Sequence, residues 1–399
     1  MRSEPGGEAV GGERPVAPGF LVVGSARSGT TLVQRLAWSL DGVRVPAETH
    51  FFSDFATDLA RGWSFPLAGR DLADALAAYA RRPYLRGVAF EPGRLADALG
   101  GACQGPLELF GAVVAELAGT GTEAGDVLTG EKTPAHLLWW EPLSRRLPAL
   151  RVVAVVRDPR AVAASHQALD WGRDPVAVAR RWVDDLGRLS ALWAALGPAR
   201  SLVLRYEDVV AHPRGAVAAM GRLLGRRPAP AGSAATGTPA GLAPTGTPAG
   251  SAATGTAAGL APSGTAPAGS AATGTAAGLA PTGTAPAWET WKQRAEGPPD
   301  TTRVDAWRHE LDERVVALVE AWCGPAMVAA GYAPVTVGTR RCRRLAGASP
   351  RQHWSALRHQ ARRWRREAEI ARLGGGWLEG GPGAGTGGPG VTAAGSGRG

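Results

Sequence analysis

Lysine is nearly absent from this chain of 399 residues, which contains 42 Arg but only Lys132 and Lys292. Cysteine is scarce too, since the chain has only three, and their wide spacing fits neither a disulfide framework nor a zinc site. No run of about 18 apolar residues is present, so we expect no membrane span. The Gly/Pro-rich N-terminus lacks the apolar core of a signal peptide. These absences predict a cytoplasmic protein, and they make each retained lysine a candidate for a specific role.

The positive charge is concentrated in one C-terminal segment. The chain has a net charge of +9, and residues 340–373 alone contain eleven Arg against two Glu. The rest of the chain is therefore neutral, which argues against a nucleic-acid-binding core. In this segment Trp354, Leu357 and Trp364 recur at helical spacing between arginines, a pattern typical of a basic amphipathic helix. Such a helix predicts contact with an anionic membrane surface or an acidic partner, and thus a peripheral position at the membrane.

A second unusual segment consists almost wholly of Ala, Gly, Thr, Pro and Ser. The sequence AGSAATGT recurs in it at 231, 249 and 268, but the repeats have too few apolar side chains to bury a core. We therefore predict a disordered insert within one folded core. The expected segments are a disordered N-terminus (1–16), the first part of the core (17–228), the insert (229–287), the last part of the core (288–337), a basic helix (338–373) and a disordered Gly-rich tail (374–399).

Residues 20–31 read FLVVGSARSGTT, an apolar strand followed by a glycine-containing loop and the start of a helix. Gly24 and Gly29 have the spacing of a phosphate-binding loop, in which backbone N–H groups and a helix N-terminus hold an anion. A nucleoside triphosphatase has a lysine after the second glycine, but here Thr30 stands in that position and the nearest cation is Arg27. The loop therefore favours a nucleotide whose transferable group is not a γ-phosphate.

Other polar clusters also accompany apolar strands. PAETHFF ends a predicted strand over 44–52, RDPRAVAAS follows a strand over 151–156 and opens a helix, and GEKTP precedes a helix over 135–147. Apolar strands alternating with helices predict an α/β fold, a P-loop-type parallel sheet flanked by helices. Ligands bind beyond the carboxyl ends of such strands, so the clusters should form one site. We expect the 44–52 strand to lie beside the 20–23 strand.

Glu48, His50 and Lys132 are the catalytic candidates, together with Arg27. In an extended segment the side chains of Glu48 and His50 point to the same face, near the predicted phosphate loop. A carboxylate beside an imidazole suits proton abstraction from an acceptor, and Lys132 and Arg27 suit stabilisation of negative charge. The sequence leaves open which of Glu48 and His50 is the base. No metal site is expected.

These motifs resemble those of sulfotransferases that use 3′-phosphoadenosine 5′-phosphosulfate (PAPS). Glu-x-His-Phe-Phe and Glu-Lys-Thr-Pro are also similar to segments of the heparan sulfate 3-O-sulfotransferases. The resemblance implies that Arg157 and Ser165 bind the 3′-phosphate, that Glu48 is the general base and that Lys132 contacts the sulfate. The residues it implies for the 5′-phosphosulfate are Arg27, Ser28, Gly29, Thr30 and Thr31.

The implied reaction moves a sulfuryl group from PAPS to a hydroxyl or amine of a small-molecule or glycan acceptor. The sequence does not identify that acceptor. Two other functions stay open: a P-loop kinase or hydrolase, and a protein that binds a polyanion or a membrane through its Arg-rich helix. Because position 30 is threonine and not lysine, a kinase or hydrolase is disfavoured. Binding of a polyanion or a membrane would leave the motifs at 24–31 and 157–165 unexplained.

Overall fold

The structure is a computed structural model, and it describes residues 17–120, 126–169, 172–229, 298–336, 349–374 and 377–379. The predicted disordered N-terminus, nearly all of the insert and the tail beyond 379 lie outside these ranges. The predictions made for those segments stay predictions.

A parallel sheet forms the centre of the fold, so the predicted α/β architecture is confirmed. The strands are β1 (Phe20–Gly24), β2 (Val43–Arg44), β3 (Leu67–Ala68), β4 (Ala102–Cys103), β5 (Leu128–Glu131), β6 (Arg151–Val156) and β7 (Ser201–Arg205). The five-stranded sheet has the order β2-β5-β1-β6-β7, and β3 and β4 form a separate antiparallel pair. Phe20 lies opposite Arg151 and Gly24 opposite Val155. The segments that follow β1 and β6 therefore leave from the same edge of the sheet.

Helices cover both faces of this sheet. They are α1 (Thr30–Ala37), α2 (Ala56–Gly62), α3 (Gly69–Ala80), α4 (Pro92–Ala98), α5 (Pro106–Ala118), α6 (Trp140–Arg146), α7 (Pro159–Gln167), α8 (Pro175–Arg200), α9 (Tyr206–Ala211), α10 (Pro213–Leu224), α11 (Thr302–Asp305), α12 (Trp307–Glu310), α13 (Glu313–Ala329) and α14 (Pro350–Leu373). Short 3₁₀ helices span Pro83–Leu85, Pro134–Trp139 and Trp377–Glu379.

The side chains of β1 alternate between two hydrophobic cores. Leu21 and Val23 belong to the core that contains residues of α7, α8 and α13. Phe20 and Val22 belong to the core that contains residues of α1, α9 and α10. Because both faces are buried, the strand has an unbroken apolar sequence and no alternation of polar residues.

The predicted strand over 44–52 is wrong beyond its first residue. β2 ends at Arg44, the chain is irregular to His50, and Phe51–Phe55 form one turn of π-helix. Pro46 cannot donate to a sheet, and His50 has a φ of 48°, which no strand residue adopts. Phe51, Phe52 and Phe55 are all buried and pack their rings against Phe110 or Tyr79. This aromatic packing outweighs the β-propensity of the segment.

The expected pairing of this strand with β1 is also wrong, because β5 lies between β2 and β1. β5 contains the Gly130 and Glu131 of GEKTP, which the sequence analysis did not assign to a strand. The helix predicted over 135–147 is split into a 3₁₀ helix that ends at Trp139 and α6. Pro142 lies in the first turn of α6, where its missing N–H needs no partner, so the α-helix begins anew just before it.

The basic amphipathic helix is observed as α14, while 337–348 lie outside the described residues. One side of α14 packs against α8, where Glu367 accepts a hydrogen bond from Arg188 at 2.6 Å and Arg363 donates to Asp184. Trp354, Leu357 and Trp364 are exposed to solvent. Contact with an anionic membrane or an acidic partner stays a prediction. In the described part of the chain no helix is long and apolar enough to cross a bilayer.

Candidate active site

The loop between β1 and α1 is tightly fitted to its surroundings. Gly29 has a φ of 94°, and a Cβ on it would lie 2.3 Å from Cδ2 of Tyr206, so this position requires glycine for two independent reasons. Arg27 also has a positive φ of 73°, and its Nε donates to Ser165 Oγ at 3.0 Å. Ser28 Oγ is buried, and among the described residues it has no hydrogen-bond partner. An unpaired buried hydroxyl at the start of a helix suits an anionic ligand.

Arg157 follows β6 and lies beside this loop. Its side chain is only 6% exposed, its Nη1 donates to the Arg27 carbonyl at 3.3 Å, and its Nη2 donates to the Arg303 carbonyl at 2.9 Å. The guanidinium lies over the Tyr206 ring at 4.1 Å. No carboxylate of the described residues forms an ion pair with it, and burial holds its pKa below the ordinary value. A buried cation in this state is stabilised by an anion that enters the site.

Glu48, His50 and Lys132 are in direct contact. Lys132 Nζ lies 2.7 Å from Glu48 Oε1, and His50 Nε2 lies 3.2 Å from Glu48 Oε2. Lys132 Nζ also lies 3.4 Å from Thr31 Oγ1 at the first turn of α1. The Lys132 side chain is almost fully buried, whereas those of Glu48 and His50 remain partly open to solvent. The cluster thus links the phosphate-type loop to a surface that an acceptor can reach.

A fully buried carboxylate, Glu131, supports this cluster from behind. Its Oε1 accepts hydrogen bonds from Thr49 Oγ1 at 2.8 Å and Thr133 Oγ1 at 2.5 Å. Its Oε2 lies 2.7 Å from His136 Nδ1. His136 Nε2 accepts from the Phe52 amide at 3.1 Å, so the Nδ1 nitrogen carries the proton and donates to Glu131. Desolvation raises the pKa of Glu131, but His136, Thr133 and Thr49 outweigh it and hold the pKa below its ordinary value.

These contacts join residues that are distant in the sequence. Thr49 and Thr133 flank the candidates Glu48, His50 and Lys132, and the His50 amide donates to Thr133 Oγ1 at 3.2 Å. The sequence did not identify three residues that help to form the site: Glu131, Thr133 and His136. Two of them, Glu131 and Thr133, belong to the GEKTP motif. The signal that would have found them is the short strand β5, which brings GEKTP against the 45–50 segment.

The second arginine of RDPR has a different environment from the first. Arg160 pairs with Asp158 at 2.6 Å and with Glu320 of α13 at 2.7 Å, and it lies over the Trp307 ring. Asp158 also accepts from the Arg160 amide and so caps α7. Arg160 therefore fastens α7 to α12 and α13, whereas Arg157 faces the site.

The structure thus brings every sequence-predicted site residue into one connected region. Arg27 reaches Ser165, Arg157 reaches the Arg27 carbonyl, and Lys132 reaches both Glu48 and Thr31. Their catalytic and cofactor-binding roles stay predictions. Glu48 and His50 share a contact because of the tight turn at His50, and not because they alternate along a strand.

Residues 18–229, which include all of these side chains, match the profile of the sulfotransferase family. The chain belongs to the sulfotransferase family. This membership makes it a transferase of sulfuryl groups. No curated protein matches the chain at a significant level.

Solved structures similar to this sulfotransferase include two sulfotransferase domains. The domain from the Synechococcus PCC 7002 olefin synthase is 17% identical with a TM-score of 0.46, over 80% of this chain and 96% of that chain. The domain from the curacin biosynthetic pathway is 15% identical with a TM-score of 0.45, over 80% of this chain and 98% of that chain. Retinol dehydratase in complex with androsterone and the inactive cofactor PAP is 19% identical with a TM-score of 0.26, over 54% and 62% of the two chains.

Replacing the buried carboxylate tests whether Glu131 supports the site. Glu131→Gln should lower the free energy of unfolding by about 1.5–3 kcal/mol at pH 7, because it removes charge-assisted hydrogen bonds from Thr49, Thr133 and His136. The pKa of Glu131 is lower in the folded chain than its ordinary value of 4.5, so the wild type should lose this stabilisation as the pH falls below about 4.5. Urea denaturation at pH 7 and pH 4 measures both effects.

Glu141→Gln is the matched control, because Glu141 forms an exposed pair with Arg145. It should change the free energy of unfolding by less than about 1 kcal/mol. Equal destabilisation by the two variants would contradict a supporting role for Glu131.

Proposed function

We propose that this sulfotransferase transfers the sulfuryl group of PAPS to a hydroxyl or amine of a small-molecule or glycan acceptor. The observation that carries the proposal is Arg157, a buried cation with which no carboxylate of the described residues forms an ion pair. Ser165 and Arg27 lie beside it, so a dianionic 3′-phosphate would meet a fixed guanidinium and a hydroxyl donor at the first turns of α7. Charge-assisted hydrogen bonds of this kind are the strong ones in proteins.

The 5′-phosphosulfate would bind to the loop between β1 and α1. Arg27, Gly29, Thr30 and Thr31 offer a guanidinium, backbone N–H groups and hydroxyls there, and Ser28 Oγ has no other partner among the described residues. The N-terminus of α1 adds a favourable dipole for negative charge. Tyr206, which lies against both Gly29 and Arg157, forms a wall that the nucleotide would share.

Glu48 is the proposed general base. Lys132 stabilises the negative charge on Glu48 and lies at the first turn of α1, so its ammonium is also within reach of charge that develops on the sulfate. In the transfer, the acceptor oxygen forms a bond to sulfur, the bond from sulfur to the 5′-phosphate oxygen breaks, and the acceptor proton passes to Glu48. His50 contacts the other carboxylate oxygen and would orient Glu48 or share the proton.

The kinase or hydrolase alternative is disfavoured by Asp158. In that reading the carboxylate after the β6 strand would hold a magnesium ion. Here Asp158 is already engaged, since it caps α7 and pairs with the buried Arg160. Together with Thr30 in the usual lysine position, this environment supports sulfuryl transfer over phosphoryl transfer.

Replacing the buried Arg157 should weaken nucleotide binding only where the nucleotide has a 3′-phosphate. Arg157→Ala should weaken binding of 3′-phosphoadenosine 5′-phosphate (PAP) by about tenfold to hundredfold, the effect of one or two charge-assisted contacts. Binding of AMP, which lacks the 3′-phosphate, should change much less. Isothermal titration calorimetry with both nucleotides measures the difference.

Arg151→Ala, at the opposite end of the same strand β6, is the control and should leave both affinities unchanged. If Arg157→Ala weakened PAP and AMP equally, Arg157 would not read the 3′-phosphate.

Removing the base should slow chemistry without affecting nucleotide binding. Glu48→Gln should lower the single-turnover rate of sulfuryl transfer by about 10²- to 10⁴-fold, the usual contribution of a general base. Lys132→Ala should also lower this rate, because it removes electrostatic stabilisation. The rates are measured with labelled PAPS and an acceptor found by screening phenols and glycans, and PAP affinity is measured in parallel.

His50→Ala separates the two candidate bases. It should slow transfer less than Glu48→Gln does. A larger loss with His50→Ala, and near wild-type turnover with Glu48→Gln, would reverse the assignment.

A further inference from the structure

A cavity of about 280 Å³ lies between α8 and α14. Seven of its ten lining residues are arginines, and they come from three separate parts of the chain: Arg173, Arg181, Arg188, Arg362, Arg363, Arg365 and Arg366. The other lining residues are Leu138, Asp184 and Asp185. The positive charge therefore exceeds the negative charge by five within one cavity. α14 contributes four of these arginines and lies outside residues 18–229, which match the family profile.

The acidic residues of the cavity neutralise only part of this charge. Arg363 pairs with Asp184 and, at 2.8 Å, with Glu367 of its own helix. Arg188 pairs with Glu367 at 2.6 Å and with Asp185 at 3.7 Å, and Arg181 pairs with Asp185 at 3.4 Å. In the part of the chain that the structure describes, Arg173, Arg362, Arg365 and Arg366 form no ion pair. The cavity thus presents several guanidinium groups that carboxylates do not neutralise, in a place where side chains from α8 and α14 converge.

The positive charges of neighbouring arginines in the cavity also lower one another's pKa values. Desolvation, followed by the positive charges of Arg181, Arg366 and Arg362, holds the pKa of Arg173 below its ordinary value. Desolvation and the charge of Arg181, with a lesser effect of Arg362, lower the pKa of Arg366, and together they outweigh the opposing effects of Glu369 and Asp185. Repulsion of this kind is relieved when an anion enters between the guanidinium groups.

The cavity lies next to the candidate active site. Asp185 in its wall accepts a hydrogen bond at 2.7 Å from Ser25 Oγ, the first residue of the loop after β1. Leu138 belongs to the 3₁₀ helix that begins two residues after Lys132. Buried His166, which follows Ser165, has a pKa lowered to about 3 by desolvation and by Arg173, Arg27 and Arg181. The positive charges of Arg27 in the loop and of Arg173 and Arg181 in the cavity therefore act on the same imidazole.

We propose that this cavity binds an anionic group of the acceptor, a carboxylate, sulfate or phosphate, and so makes the enzyme selective for acidic acceptors. The planar guanidinium fork matches all three anions in a bidentate manner. The inference rests on the proposed function, because it names the acceptor class of that same site. The selectivity for acidic acceptors would thus depend on α14, which lies outside residues 18–229 that match the family profile.

The phosphates of the nucleotide are the other anions that a cavity of this kind would bind. Arg157, Ser165 and the loop between β1 and α1 already account for both ends of PAPS. Replacing Arg362 and Arg366 should therefore leave nucleotide affinity unchanged. This result distinguishes an anion of the acceptor from a phosphate of the nucleotide.

The test measures binding of phenyl phosphate to the full chain saturated with PAP, by isothermal titration calorimetry at 0.1 M salt. The test variant is Arg362→Ala/Arg366→Ala. The matched control is Arg358→Ala/Arg372→Ala, which removes the same charge from the same helix at positions that do not line the cavity. Circular dichroism verifies equal helix content in both double variants.

The wild type should bind one phenyl phosphate. The test variant should weaken this binding by about tenfold or more, as expected for the loss of a charge-assisted hydrogen bond. The control should change it by less than about twofold, because neither arginine lines the cavity and charge effects over longer distances are largely screened in 0.1 M salt. PAP affinity should be the same in all three proteins.

Three results would overturn the inference: no binding of phenyl phosphate by the wild type, equal weakening in test and control variants, or reduced PAP affinity in the test variant. The first two remove the anion site, and the third assigns these arginines to the nucleotide. If the wild type failed to bind PAP, the proposed function itself would fail. Phenyl phosphate titrated into the nucleotide-free variants would then still decide whether the cavity binds an anion.

Discussion

The buried carboxylate of Glu131 is the constraint on which the cluster of Glu48, His50 and Lys132 depends. A charge with no exposure to water costs several kcal/mol unless polar groups surround it. Thr49, Thr133 and His136 provide these groups, and each of them must hold one position to do so. The residues that flank them in sequence, Glu48, His50 and Lys132, are fixed as a consequence. One desolvated charge thus sets the geometry of a site in which it takes no chemical part.

Lys132 illustrates why one lysine persists in a chain so rich in arginine. Its ammonium fits between Glu48 Oε1 and Thr31 Oγ1, and its side chain is 2% exposed. An arginine at this position would place a planar fork where a compact charge now fits. Arg157 shows the opposite preference, because it donates to two separate carbonyls and stacks on an aromatic ring. The two cations therefore suit different tasks, and the proposed function gives the point charge to the reacting group and the fork to a phosphate.

The local patterns of the sequence predicted the centre of this fold. β1 and β6 are apolar strands followed by polar clusters, so their positions and their common edge followed from the sequence alone. β5 did not, because LTGE is short, contains glycine and glutamate, and pairs with strands far away in the chain. The segment after Arg44 was misread as a strand, since its aromatic residues have high β-propensity but are buried around a turn of π-helix.

The parts of the site that depend on distant contacts were the parts that the sequence could not supply. Glu131 meets Thr49 across more than eighty residues, and α14 meets α8 across nearly two hundred. No periodicity or spacing encodes such contacts. Arg27 and Arg157 could be named in advance, because each lies within a few residues of the end of a predicted strand. Ser165 and Lys132 could be named because they belong to motifs that resemble those of a known family. The buried network behind them and the arginine cavity beside them required the tertiary structure.

We propose that a phosphate-type loop without its lysine, next to Arg157, holds a 3′-phosphorylated nucleotide and not a nucleoside triphosphate. The most direct measurement is calorimetric titration of the wild-type chain with PAP and with ATP, each in EDTA and in magnesium. PAP should bind more tightly than ATP, and its affinity should be the same in EDTA and in magnesium. Tighter binding of ATP than of PAP, dependent on magnesium, would contradict this proposal.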